Sequence, residues 1–140
     1  MPKLWRVKKL HPMMTPILSV ENIIRDYIEH RERSQFYGRK KMDAEKEYNK
    51  LLAKFNGEEN HYSLDQANTI YRAYQDMVIN GEQSTIAQSR FAEAEEKLIE
   101  VGRILFEATI NAEIEVESMR GEPTRIAVRI DYRNGNVVVS

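Results

Sequence analysis

The chain has 140 residues, 21 lysines and arginines against 22 aspartates and glutamates, a net charge of -1 and no cysteine. A chain of this length buries one ordinary core without covalent staples. Its composition excludes disulfides, thiolate metal sites and a cysteine nucleophile, and its balanced charge gives no global attraction to nucleic acid or an anionic membrane.

Residues 1–15 read as an extended arm. Leu4-Trp5-Arg6-Val7-Lys8 partly alternates, as a short strand does, until His11-Pro12 and Thr15-Pro16 interrupt it. The arm lacks the apolar segment of a secretory signal, and no uncharged run approaches the roughly 20 residues that span a bilayer. Cytoplasm is the default setting, or a virion if the chain derives from a phage.

A helical region is expected over 16–109. Thr15 before Pro16 is a good start signal, with Ser19 as a second cap. The first helix, about 16–56, carries Val20, Ile23, Ile24, Tyr27 and Ile28, then Tyr48, Leu51, Leu52 and Phe55. The pattern fades between them in HRERSQFYGRKK. Asn56-Gly57 ends this helix, and the loop folds the next one back on it with partner numbers summing to about 118. Ser63 with Gln66 forms a capping box for a second helix over about 63–79. Asn80-Gly81 interrupts it, level with Gly38, so the two glycines either mark a joint in both helices or let them approach closely. Thr85 with Gln88 opens a third helix over about 85–109. Its stripe is Phe91, Ala94, Leu98, Val101, Leu105 and Ala108, alternating three and four apart like a coiled-coil seam. Ile99, Ile104 and Phe106 lie on other sides, so this helix is central or sits at an oligomer seam.

From Ile110 the apolar period changes to two. Ile110, Ala112, Ile114 and Val116 alternate with polar residues, and so do Ile126, Val128, Ile130 and Tyr132. Asn134-Gly135 signals a type I′ hairpin that sets Tyr132 opposite Val137 and Ile130 opposite Val139. For the first pair of strands, facing Glu117 with Arg125 and Glu113 with Arg129 places Ile114 beside Val128 and every apolar residue on one face. The reading is therefore α+β: an antiparallel helical hairpin or small bundle, then a three-stranded antiparallel meander over 110–140, packed as one domain. The meander's apolar face is covered by the chain's helices, by the arm, or by a second copy.

No chemical motif stands out. The glycines fall singly, in no phosphate-binding or dinucleotide spacing. His30 with Asp26 four residues back reads as a solvated pair, not as metal ligands. No catalytic residue, cofactor or metal is expected. Tyr48, Tyr71 and Tyr74 should meet near one level of the hairpin, as core aromatics do. The layout resembles that of small virion, connector and complex-assembly subunits, at the level of architecture alone, and a phage or other mobile element is the origin it suggests.

The leading expectation is a non-enzymatic structural or assembly protein, partnered by itself or by other subunits and not by a membrane. Trp5, Val7, Ile99, Phe106, Val137, Val138 and Val139 are the interface residues, because the last strand has an edge with neither charge nor proline to blunt it. The other outer strand is guarded by Glu113, Glu115 and Glu117. The alternative is a small nucleic-acid-binding regulator, in which Arg31, Arg33, Arg39, Lys40 and Lys41, interleaved with Phe36 and Tyr37, contact the backbone.

Overall fold

The computed structural model describes residues 18–55 and 61–140. Two helices, α1 (Val20–Lys54) and α2 (Leu64–Leu105), precede three strands, β1 (Thr109–Glu117), β2 (Pro123–Arg133) and β3 (Asn136–Val139), which form one antiparallel sheet in the order β1-β2-β3. The α+β class and the hairpin-then-meander order expected from the sequence hold.

Ser19 caps α1, its hydroxyl accepting from the Asn22 amide at 3.1 Å, while the Thr15 and Pro16 signal lies outside the described residues. The Ser63–Gln66 capping box is formed. The expected break at Asn80-Gly81 is not: α2 runs unbroken for 42 residues, about 63 Å at the rise of an α-helix. The two helices read over 63–79 and 85–109 are one. Thr85 caps nothing. Its hydroxyl donates to the Gly81 carbonyl within the helix, and the Asn80 amide likewise bonds back to the Asp76 carbonyl.

A continuous seam carries α2 through that point. Ile70, Ala73, Met77, Asn80 and Ser84 recur three and four apart, and Ala87, Phe91, Ala94, Leu98 and Val101 continue the series, each buried or half-buried. The helix α1 answers with Ile24, Tyr27, Arg31, Ser34, Gly38, Lys41, Glu45, Tyr48 and Leu52 in the same rhythm. This is antiparallel coiled-coil spacing. Ring contacts fix the stagger, Tyr27 on Phe91 at 5.2 Å and Tyr48 on Tyr74 at 5.8 Å, and put Gly38 level with Asn80 and Gly81 as expected. A Cβ added at Gly38 or Gly81 would meet nothing within 4 Å, so close approach of the helices is not their purpose.

The sheet packs on the base of the hairpin, where α1 begins and α2 ends. Ile24, Tyr27 and Ile28 with Leu98 and Val101 cover Ile114, Val116, Val128, Ile130 and Tyr132. Of the three candidate covers, the chain's own helices supply this one. The hairpin then projects past the sheet to a tip where Tyr48, Tyr71 and Tyr74 cluster, Tyr71 lying 6.3 Å from Tyr74. Tyr71 and Tyr74 are exposed there, not core residues.

The meander departs from expectation in one register. The turn at Asn134 (φ 53°) and Gly135 (φ 78°) pairs Tyr132 with Val137 and Ile130 with Val139, as the type I′ signal requires. Between β1 and β2, however, Ile114 faces Ile126, Glu113 faces Ala127 and Glu115 faces Arg125. The slip is two residues, which preserves every side chain's face. The connector decides it. Ser118 accepts from the Gly121 amide through its carbonyl and from the Arg120 and Glu122 amides through its hydroxyl, closing the turn tightly enough to bring Glu117 opposite Pro123. The expected pairs Glu113–Arg129 and Glu117–Arg125 are replaced by a diagonal Glu113–Arg125 bridge at 3.3 Å and an Arg129–Asp131 bridge at 3.0 Å along β2.

Candidate assembly surface

The two outer edges of the sheet are treated differently. At β1, α1 lies alongside the edge and reaches it with three side chains. The Arg25 Nε donates to the Glu115 carbonyl at 2.7 Å, Glu29 accepts from the Glu117 amide at 2.7 Å, and Glu32 accepts from the Met119 amide at 3.2 Å. The spacing matches by geometry: four residues of helix rise about 6 Å, close to two residues of strand. The charged side chains of β1 were expected to guard this edge; the groups that occupy it come from α1.

At β3 no such caps exist among the described residues. Arg129 and Ser140 exchange both backbone hydrogen bonds. By antiparallel alternation, the amides and carbonyls of Val137 and Val139 therefore point away from the sheet. Val138, on the outer face, is 58% exposed. Buried polar backbone normally finds a partner, and a bare strand edge is a template for one.

At the same end of the molecule α2 finishes in exposed apolar residues. Ile104 and Phe106 are each 77% exposed and Leu105 is 45% exposed. The burial expected of Leu105 is thus corrected: the sheet takes over as cover at Val101, and the last helical residue lies beyond it. Phe106 is the C-cap, its amide donating to the Gly102 carbonyl at 2.9 Å, with φ 26°. Glu107 follows at φ 51°. Two successive non-glycine residues with positive φ are strained, and helices usually place glycine at such a position. A cavity of about 310 Å³ opens between Ile99, Phe106 and the β2–β3 turn at Asn134 to Asn136. Its floor is Tyr132, whose ring lies on Gly102 so closely that a Cβ there would overlap the ring, and whose hydroxyl donates to the Leu98 carbonyl at 2.6 Å.

Of the interface residues expected, Ile99, Phe106, Val137, Val138 and Val139 thus fall on one end of the molecule. Trp5 and Val7 lie outside the described residues. Leu105, expected in the main stripe of the helix, is exposed as well, because helical periodicity says which side a residue takes but not where its cover ends.

The basic cluster is dispersed. At 100° per residue Arg31, Arg33, Arg39, Lys40 and Lys41 do not share a face of α1. The Arg31 guanidinium lies over Tyr27 at 5.5 Å, the Lys40 ammonium over Phe36 at 5.3 Å, and Lys41 pairs with Glu45 at 4.0 Å. Arg33 instead joins His30, Tyr37 and Arg90 around a groove between the helices. Arg90 arrives from α2, so no linear pattern could have included it. Among the described residues no helix is long and apolar enough to cross a membrane, and no three histidines or acids gather as metal ligands do.

The chain matches no protein-family model, no curated protein and no solved structure.

Proposed function

We propose that the chain is a non-enzymatic structural or assembly subunit, working as an oligomer or inside a larger complex, with the end formed by β3 and the α2 terminus as its contact. The observation that carries this is the asymmetry of the sheet. Its β1 edge is capped by Arg25 and Glu29, whereas among the described residues nothing caps its β3 edge, and the exposed Phe106 lines a cavity with Asn136 at the start of β3. Proteins blunt the edges that they do not use. The simplest use is β3 pairing with β3 of a second copy, which joins two sheets. A cytoplasmic complex or a virion, of phage or other mobile-element origin, is the setting proposed for it.

Val139→Pro tests the contact. It removes an outward amide, leaves the ladder to β2 intact, and is tolerated at an edge. Light scattering should show the assembled mass fall while circular dichroism stays unchanged. A wild-type protein that is monomeric at tens of micromolar, or a Val139→Pro variant with unchanged mass, defeats the reading.

The groove of His30, Arg33 and Arg90 favours one second reading, a nucleic-acid-binding regulator. Arg33→Glu with Arg90→Glu should then abolish binding to DNA or RNA and flatten its salt dependence. Absence of binding by the unmodified chain at low salt removes it.

A further inference from the structure

The outer face of α2 holds a second seam. Leu64, Ala67, Tyr71, Tyr74 and Val78 recur three, four, three and four apart, all exposed. Gly81, Thr85, Gln88 and Ala92 carry the same rhythm on. None of these positions is charged, on a helix whose other exposed sides are rich in acids and arginines. The run from Leu64 to Ala92 is about 42 Å long. It lies one residue, about 100°, round from the seam that α1 occupies, and a helix inside a bundle meets two neighbours at such an angle. The heptad rhythm selects a helix as the missing neighbour.

We infer that this neighbour is α2 of a second copy, packed antiparallel, so that the hairpins of two chains form a four-helix layer. Three observations choose that occupant and direction. The seam is large toward the tip, with Leu64, Tyr71 and Tyr74, and small toward the base, with Gly81, Thr85 and Ala92. Antiparallel self-pairing centred on Val78 sets each large residue against a small one: Tyr71 near the partner's Thr85, Tyr74 near the partner's Gly81. Interdigitating cores need that alternation. Parallel pairing would stack tyrosine on tyrosine and leave voids at glycine and alanine. Second, antiparallel pairing sets the flanking Glu82 beside the partner's uncharged Gln75, so no like charge faces it across the seam. Third, Gly81 has no purpose within one chain, since nothing lies within 4 Å of its missing Cβ, whereas a neighbour's Tyr74 needs that space. The exposed helical face of α1 offers no equivalent, being broken by Arg25, Arg39, Lys46 and other charges.

This contact rests on the reading of the chain as a self-assembling subunit but uses a surface apart from the β3 edge, so the two can be separated. The chain has no cysteine, so single substitutions report cleanly. Under mild oxidation Val78→Cys should form a covalent dimer, because a disulfide needs Cα atoms within about 7 Å and Val78 lies at the two-fold axis. Tyr71→Cys alone should not, its copies being about 21 Å apart along the seam, but mixed with Thr85→Cys it should. Val78→Glu should weaken this association roughly ten-fold or more without loss of helical content, since Val78 is solvent-facing in the isolated chain. Self-linkage by Tyr71→Cys overturns the antiparallel arrangement, and absence of any Val78→Cys linkage overturns the contact itself. If Val78→Glu leaves the mass unchanged while Val139→Pro lowers it, this inference fails and the β3 contact stands. The reverse result retains the seam and removes the β3 contact.

Discussion

Gly102 and Tyr132 show how much one missing methyl decides. The tyrosine ring occupies the place of a side chain on α2 and its hydroxyl bonds to the helix backbone there. Gly102→Ala should therefore destabilise by about 1–3 kcal/mol in urea titration, as overpacking does. Gly38→Ala, by contrast, meets open space in a helix interior and should stabilise by up to about 1 kcal/mol. Burial raises the Tyr132 hydroxyl above the ordinary phenol value of 10.0. An unfolded phenol ionises first, so the stability tied to this group is complete below pH about 10 and is lost as the pH rises beyond it. Tyr132→Phe should flatten that alkaline loss in a pH series of thermal unfolding. Phe106 is the opposite case, a large side chain in a conformation that suits glycine. Phe106→Gly should raise stability by about 1 kcal/mol while weakening assembly, a split that a purely structural residue does not give. Measuring the unfolding midpoint and the assembled mass on one sample checks both halves.

In the two long helices the signals at the ends are plain and those at the middle mislead. Both caps at Ser19 and Ser63 were visible, as were the apolar residues at base and tip. The waist between them was not, because its seam is built from Arg31, Ser34, Gly38 and Lys41 against Asn80, Ser84 and Ala87. Such residues carry no apolar period, so Asn80-Gly81 read as a stop. Coiled-coil packing overrode that local signal. A buried polar residue at a seam position fixes register at some cost in stability. Asn80→Leu should stabilise the hairpin by about 1 kcal/mol in urea titration while loosening its register. Altered protection of α1 and α2 amides in hydrogen exchange would report the loosening. No change in either quantity would mean that the waist is not a weak point.

For the molecule as a whole, the class and the faces of the sheet were legible because alternation survives any even slip. The β1–β2 register was not, because it depends on how Ser118 closes a turn, which cross-strand charge matching does not reveal. The candidate surface was legible in part. An unblunted last strand can be seen in Val137 to Val139, but the capping of β1 by Arg25 and Glu29 joins residues about 90 positions apart. Similarly, the exposure of Leu105 follows from where the sheet ends, which no helical wheel contains.

The capped edge has a consequence for how far association can go. Along the sheet, a copy with one bare strand is a monofunctional unit: it couples once there and the joined sheet has no free edge. A copy with two would be bifunctional and would add units without limit, as in fibre growth. Arg25 and Glu29 thus act as chain terminators. Arg25→Ala with Glu29→Ala should turn a finite particle into a polymerising one, seen as scattering that keeps rising with time and concentration and as fluorescence of a cross-β dye. A double variant whose mass stays finite would show that the bulk of α1, and not these two side chains, blocks the edge.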